Sequence, residues 1–201
     1  GTAGLQVIVG TAPVHMLADP AAAVNKPLLV QSYKEAVATV GYSDDFAAFT
    51  LCESISANFS VVGVAPLVLI NVLDPVKHST DLTETTVPVN SGVAVVAETG
   101  VLPDKLVVKS GDVELARDTD YITAWGSDGA INIVLVEGGT GDGATVLTIT
   151  GKKLDPGKVT AADIIGGVDI ATGDETGLEV IRQVYHKFGL TPGILLAPRF
   201  S

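Results

Sequence analysis

The side chains of this chain that could take part in chemistry are three histidines, one cysteine and several aspartates in glycine-rich turns. The histidines, His15, His78 and His186, are far apart in sequence, and none has a second histidine at the short spacing of a metal-binding pair. Cys52 cannot form an internal disulfide or complete a zinc site by itself. It falls in an apolar stretch of a predicted helix, where we expect a small core side chain.

The aspartates in turns could together bind calcium, which prefers carboxylate oxygens. An EF-hand loop places oxygen ligands at alternate positions around a fixed glycine and ends with glutamate, and no window of this sequence does so. Asp118 and Asp120, separated by Thr119, form the nearest fragment. We therefore expect acidic turn tips on a solvated surface. The aspartates considered are Asp112, Asp118, Asp120, Asp128 and Asp142.

The run GGTGDG, residues 138–143, could bring several backbone N–H groups to a phosphate. It lacks the lysine and following Ser/Thr of a P-loop, and it lies between strand-like runs, so a hairpin turn is predicted. The VGTAP segment after the first predicted strand lacks G-x-G-x-x-G, and no G-x-S-x-G nucleophile elbow occurs. The sequence thus supports no catalytic, cofactor-binding or metal-binding residue, and we predict a protein that is not an enzyme.

Two apolar runs predict strands that are buried on both faces. Leu5–Val9 is closed by Gly10, and Leu67–Val72 is ended by Asp74 and Pro75. Two helices are predicted between them, so the strands should be parallel neighbours joined by a right-handed crossover.

Local capping signals place the two helices. Ser32 lies three residues before Glu35, the spacing of a capping box, so a helix is predicted over Tyr33–Val40 with its stop at Gly41. Asp44 is the predicted cap of the second helix. That helix should bury a stripe of side chains repeating every four residues, namely Ala47, Leu51, Ile55 and Phe59.

The composition changes after residue 78. Residues 79–156 are rich in Thr, Val, Gly and Asp and carry 12 acidic against five basic residues, a net charge of −7 out of −11 for the chain. Short β-type runs separated by turn signals are typical of a small barrel or sandwich. The predicted strands are Val93–Ala97, Leu106–Lys109, Tyr121–Ala124, Ile131–Leu135 and Thr145–Thr150, with a turn at Asp128-Gly129.

An α/β pattern returns near residue 157. Thr160–Ile165 predicts a short helix, and Thr176 lies three residues before Glu179 as a second capping box. The helix that follows, ended by Gly189, should bury Leu178, Ile181, Tyr185 and Phe188 and lead into a third buried strand, Ile194–Ala197. We therefore predict an α/β core built from residues 1–78 and 157–201, with an inserted all-β domain, residues 79–156.

Charge and hydropathy exclude some partners. With a net charge of −11 and a pI near 4.5, the chain would meet like charge on nucleic acid or anionic lipid, so neither is an expected partner. Leu67–Leu73 is far shorter than the roughly 20 residues that cross a bilayer. Because the chain starts at Gly1 and stops at Ser201 directly after a predicted interior strand, we expect a fragment of a longer protein.

Three segments, LQVIVGTAPV, APLVLINVLDP and VYHKFGLTPGILLAPRFS, resemble the tail sheath proteins of contractile-tailed bacteriophages and of related phage-tail-like particles. The resemblance covers residues 4–78 and 157–201. It implies an α/β core made of discontinuous segments and decorated by an inserted surface domain, with the acidic insert facing outward.

The resemblance also implies a structural function. Sheath subunits form rings around a tail tube, and their contraction drives the tube through a cell envelope; extended terminal arms add strands to neighbouring sheets. The implied partners are other sheath subunits and the tail tube protein, in the virion tail after synthesis in the bacterial cytoplasm, and no cofactor is implied. Because the arms are not evident here, we expect this chain to be monomeric. The alternative is a virion or cell-surface adhesin-like module whose β insert recognises a glycan or protein.

Overall fold

The computed structural model describes residues 4–127 and 129–200. The predicted turn at Asp128-Gly129 and the chain ends Gly1 and Ser201 involve positions outside these residues. The helices and strands along the described chain are β1 (Leu5–Gly10), β2 (Leu28–Val30), α1 (Tyr33–Val40), α2 (Thr50–Ile55), β3 (Leu67–Asn71), β4 (Ser79–Asn90), β5 (Val93–Val96), β6 (Val107–Ser110), β7 (Val113–Leu115), β8 (Tyr121–Trp125), β9 (Ile131–Leu135), β10 (Val146–Leu154), α3 (Ala161–Ile165), β11 (Gly167–Val168), β12 (Glu175–Thr176), α4 (Arg182–Phe188) and β13 (Pro192–Leu196).

The fold is mixed α/β and divides into two compact units. The α/β unit comprises the chain up to His78 and from Pro156 onward, and the β unit is Ser79–Asp155. Within the described residues, no helix is long and apolar enough to cross a bilayer.

A mostly parallel sheet forms the centre of the α/β unit. Its strand order over the described residues is β13-β1-β3-β2, with β1 parallel to both β3 and β13 and with β2 antiparallel to β3. Val7 lies opposite Val68 on one side and Leu195 on the other. The β1 and β3 side chains from Val7 to Val9 and from Leu67 to Ile70 are fully buried, which agrees with the prediction that both faces are covered. The edge strand β2 was not predicted.

Helix α1 begins and ends where the sequence predicts. The Ser32 hydroxyl accepts a hydrogen bond from the Glu35 N–H (3.1 Å), and Gly41 adopts a positive φ of 77° at the C-terminal end. The Glu35 carboxylate reaches back one residue further than a capping box requires, and accepts from the Gln31 N–H (2.8 Å).

The predicted start of the second helix at Asp44 is wrong. The Asp45 side chain instead closes a turn by accepting from the Ala48 N–H (3.1 Å), and α2 begins at Thr50, whose N–H is satisfied by the Thr11 hydroxyl (3.0 Å). A tertiary contact therefore provides the cap. Leu51 and Ile55 are buried as predicted, whereas Ala47 is exposed. After α2 the helix widens into a π-helical segment over Ser56–Val62.

The second predicted capping box is also wrong, although the short helix α3 is present as predicted, with Thr160 as its cap. The Thr176 hydroxyl accepts from the Gly167 N–H (3.1 Å) and joins β11 to β12, so it does not cap a helix. A 3-10 segment over Gly177–Ile181 then leads into α4. Val180 in this segment and Val184 in α4 are buried, whereas Tyr185 is 60% exposed. The 3-10 segment has fewer residues per turn than an α-helix, so a different face of α4 is buried from the one we predicted.

The β unit is one curled antiparallel sheet, a half-barrel, in place of the predicted barrel or sandwich. Its strand order over the described residues is β7-β6-β10-β4-β5-β9-β8. The concave core includes Tyr121, Ile131, Ile133, Leu147 and Ile149. All five predicted strands are present with small shifts of their ends. The long strand β4 was missed because its only buried apolar residues are Leu82 and Val87, and most of the others are polar.

Candidate functional site

Two of the three histidines, His15 and His78, and the cysteine are buried. His15 is 4% exposed and its ring stacks on Phe49 with 5.8 Å between centroids; burial lowers its pKa to about 4. Cys52 is fully buried, as its apolar surroundings predict, and burial raises the pKa of its thiol to about 11. His186 is exposed on α4. None of His15, Cys52 and His186 contributes to a common site.

The aspartates in the β unit also fail to converge. Within the described residues, no three His, Cys, Asp or Glu side chains are placed to hold one metal ion. Asp120 instead has a structural function: its carboxylate accepts from the Ala116 N–H (2.8 Å) and the Thr140 N–H (2.9 Å), and these two bonds lower its pKa. It thereby anchors the loop 138–143. That loop joins β9 to β10, which are not neighbours in the sheet, so the predicted hairpin is wrong.

A cluster of polar side chains ties two distant parts of the α/β unit together. The Asp163 carboxylate of α3 is bonded by the Lys77 ammonium, by His78 Nε2 (3.2 Å) and by the Thr160 N–H (2.8 Å). His78 Nδ1 accepts from the Asp74 N–H (2.9 Å), so the ring proton is on Nε2 and points at Asp163. We call Lys77, His78, Thr160 and Asp163 the Asp163 clasp.

Two side chains of the clasp are buried. The side chains of His78 and Asp163 are 2% and 8% exposed. Burial is the largest influence on the Asp163 carboxyl and raises its pKa, but the bonds from Lys77 and Thr160, with His78, together outweigh it and hold the pKa well below its usual value. Three members of the clasp, Lys77, His78 and Asp163, line a polar cavity of about 220 Å³ together with Asn25 and Thr176. The groups of the clasp satisfy one another, so its evident role is to hold the segment before β4 against α3.

The most unusual surface of the α/β unit is β13. We predicted this strand to be buried, and that prediction is wrong: Ile194, Leu195 and Leu196 are 45%, 45% and 41% exposed, on both faces of the sheet. Among the described residues β13 has one hydrogen-bonded neighbour, β1, so it is a sheet edge. In sequence it resembles β1, and no local signal distinguishes an interior strand from an edge strand of the same composition.

This edge has few of the features that prevent edge-to-edge pairing. Natural edge strands are usually short, charged, covered or interrupted by proline, whereas β13 has its proline only at the first residue, Pro192, and its segment Ile194–Leu196 is uncharged and half-exposed. The opposite edge, β2, has three residues and ends in a buried Val30. The β13 edge can therefore accept a further strand by main-chain hydrogen bonding, and its apolar side chains are accessible on both faces.

Comparison with known proteins finds a relative over nearly the whole chain. The chain is 32% identical over 198 residues to the tail sheath protein of Burkholderia phage BcepMu, and the alignment covers 96% of this chain, the β unit included. The chain spans 38% of the length of that relative. No protein-family profile matches the chain, and no solved structure matches it significantly. Over nearly all of its length, the chain is therefore homologous to part of a bacteriophage tail sheath protein.

Proposed function

We propose that the chain is part of a structural subunit that assembles with copies of itself around a phage tail tube and contracts to drive the tube through the host envelope. Similarity to a tail sheath protein supports this role, and the open apolar edge of β13 is the observation that favours assembly. Assembly would follow synthesis in the bacterial cytoplasm. Contraction needs rigid subunits with two alternative packings and requires no catalytic group.

The β13 edge would bind a strand contributed by a neighbouring subunit. A strand added there would extend the sheet β13-β1-β3-β2 and cover Ile194, Leu195 and Leu196. Apolar burial of three such side chains and a new ladder of backbone hydrogen bonds would both favour the contact. Main-chain pairing could persist while the packing of the subunits changes.

A lysine on this edge is expected to block assembly without unfolding the subunit. Leu195→Lys puts a charge on a half-exposed position, so the fold should remain while strand addition becomes unfavourable. Val113→Lys is the matched control, because Val113 is 51% exposed on β7, the edge strand of the β unit. Electron microscopy of the full-length protein should show tubes or rings for the wild type and V113K and dispersed subunits for L195K. Normal tubes from L195K would contradict the proposed edge.

We further propose that the α/β unit is one folding domain split by an independently folded β domain. The two ends of the β unit support this, because the first residues of β4 pair antiparallel with the last residues of β10, with Ser79 opposite Leu154 and Thr80 opposite Lys153. The chain thus leaves the α/β unit on β4 and returns to it on β10, and these two strands are paired with each other at that point. The Asp163 clasp holds the flanking segments, 74–78 and 160–163, within the α/β unit.

Excision of the β unit is therefore expected to leave a folded α/β domain. Replacing residues 81–152 with Asn-Gly joins Thr80 to Lys153, which are cross-strand partners, through a two-residue hairpin turn. Circular dichroism should show one cooperative thermal transition. A control that removes residues 98–145 alone should yield the same transition plus a protease-sensitive remnant of the β unit. A non-cooperative or insoluble product from the full excision would contradict the division into two cores.

A further inference from the structure

The hairpin of β11 and β12 carries a fully exposed isoleucine on an ordered turn. Ile170 is 101% exposed, the highest exposure among the large apolar side chains described. The turn around it is closed by Asp169, whose carboxylate accepts from the Ala171 N–H (2.7 Å) and the Thr172 N–H (3.2 Å). The backbone also closes the turn, through the Gly173 N–H donating to the Asp169 carbonyl (2.7 Å). The Ile170 side chain therefore projects into solvent from a turn that is fixed by hydrogen bonds.

The base of this hairpin is packed directly on α3. A Cβ at Gly166 would lie 1.8 Å from the Thr176 carbonyl oxygen, and a Cβ at Gly177 would lie 2.4 Å from the Ile164 carbonyl oxygen. Such close approach of backbone to backbone leaves the hairpin little freedom to fold over and bury Ile170 against its own subunit. An apolar side chain presented in this way is suited to burial against another surface.

The α/β unit also has an apolar recess of about 290 Å³. Its walls include Leu5, Val64, Pro66 and Leu190, with Thr191 at its margin. Each wall segment lies at or just before the first residue of a parallel strand, since β1 starts at Leu5, β3 at Leu67 and β13 at Pro192. The recess therefore lies at the amino ends of the strands.

The hairpin lies at the other end of the same sheet. Gly166 and Thr176, at its base, line one cavity with Val72, which follows the last residue of β3. The protruding side chain and the recess are thus at opposite ends of the parallel strands. Two different, complementary patches on one subunit make a heterologous contact, which generates a ring or an open helical assembly.

Charge also favours this pairing. The hairpin exposes Asp169 and Asp174 beside Ile170 and has no basic residue. The last turn of α4, which leads to the recess, exposes His186 and Lys187 and has no acidic residue, although the chain as a whole is strongly acidic; Arg182, at the first residue of α4, is paired with Glu179. Opposite charges around an apolar contact fix the orientation in which two surfaces meet.

We propose that the Ile170 hairpin of one subunit inserts into the amino-end recess of a second copy of this chain, so that subunits associate head to tail along the strand direction. The inference rests on the proposed assembly into a sheath and names a contact within it. Ile170→Asp removes the apolar side chain that would be buried at the contact, so it should raise the concentration needed for assembly at least about tenfold.

Cysteine pairs test the contact itself. Ile170→Cys and Thr191→Cys are made singly in the full-length protein; both positions are exposed, and the native Cys52 is buried. Under mild oxidation of assembled material, each single variant alone should remain uncrosslinked and a mixture of the two should yield covalent dimers. The double variant should yield a ladder of multimers. Ile122→Cys, at a position 46% exposed on β8, replaces Ile170→Cys in a control mixture that should stay uncrosslinked.

The possible results separate the contact from the sheath proposal. Tubes without crosslinks in the mixture would overturn the contact and leave the sheath function intact. Crosslinks in Ile170→Cys alone would indicate that two hairpins meet each other, which also overturns it. Wild-type protein that forms no tubes or rings would overturn the proposed function, and the contact with it.

Discussion

Replacing Asn71 with leucine is expected to lower the free energy of unfolding by at least about 3 kcal/mol, because it leaves four buried backbone groups without partners. Asn71 ends β3 and is fully buried. Its Oδ1 accepts from the Ala12 N–H (3.0 Å) and the Leu73 N–H (3.1 Å), and its Nδ2 donates to the Ala23 carbonyl (3.1 Å) and the Leu73 carbonyl (3.0 Å). One side chain thus joins the loops that follow β1 and β3.

The matched control is the same substitution at Asn58, which makes one side-chain bond, to the Ser54 carbonyl (2.8 Å), and is half-buried. We expect Asn58→Leu to cost less than about 1 kcal/mol in urea unfolding followed by circular dichroism. Should Asn71→Leu fail to fold, Asn71→Asp provides a second measurement. That variant keeps the two acceptors and loses the two donors, so it should regain stability as acid protonates the new carboxyl. Equal costs at Asn71 and Asn58 would contradict this account.

Truncating Asp163 to alanine is expected to cost at least about 2 kcal/mol near neutral pH, because the His78 Nε2–H and the Thr160 N–H would each lose a charged hydrogen-bond acceptor. The control is Glu179→Ala on the same unit, which removes an exposed i,i+3 ion pair with Arg182 (2.7 Å) and should cost less than about 1 kcal/mol. The measured quantity is the free energy of unfolding of each variant relative to the wild type.

The pH dependence of that difference follows from the lowered pKa of Asp163. A carboxyl whose pKa is lower in the folded than in the unfolded chain stabilises the fold fully above the unfolded pKa, about 3.9. The stabilisation is lost as pH falls from there through the folded pKa. The cost of Asp163→Ala should therefore be constant from about pH 5 to 7 and shrink below about pH 4. A cost that disappears between pH 7 and 6 would assign the effect to another group.

The elements that were predicted correctly are those whose signals lie within a few residues. Helix α1 has its cap, Ser32, and its stop, Gly41, in its own sequence, and both act in the structure as predicted. Strands β1 and β3 are runs of β-branched and aliphatic residues buried on both faces, which is the pattern of parallel strands. Their pairing follows from connectivity alone.

The errors arise where a distant residue decides the outcome. Helix α2 begins at Thr50 because the hydroxyl of Thr11, far away in sequence, accepts its N–H. Thr176 has the spacing of a helix cap but bonds Gly167 across a hairpin. Ile194–Leu196 has the composition of an interior strand and lies at an edge. Such competition between local signals and tertiary contacts leaves no trace in a single sequence.

The Asp163 clasp and the exposed Ile170 were harder to predict than the helices and strands. His78 and Asp163 are 85 residues apart in sequence, and their contact depends on the return of the chain to the α/β unit. The exposed Ile170 stands between Asp169 and Ala171 in an unremarkable turn sequence, and its exposure follows from the close packing of Gly166 on Thr176. The turn-forming residues of the sequence indicate neither the Asp163 clasp nor the exposure of Ile170.

Electron cryomicroscopy of contractile tails that carry this chain tests the central claim most directly. The account predicts that the outer layer around the tail tube contains the sheet β13-β1-β3-β2, with a strand of a neighbouring subunit paired to β13 and covering Leu195. Tails whose outer layer lacks this chain, or in which the β13 edge faces solvent in every state, would contradict it.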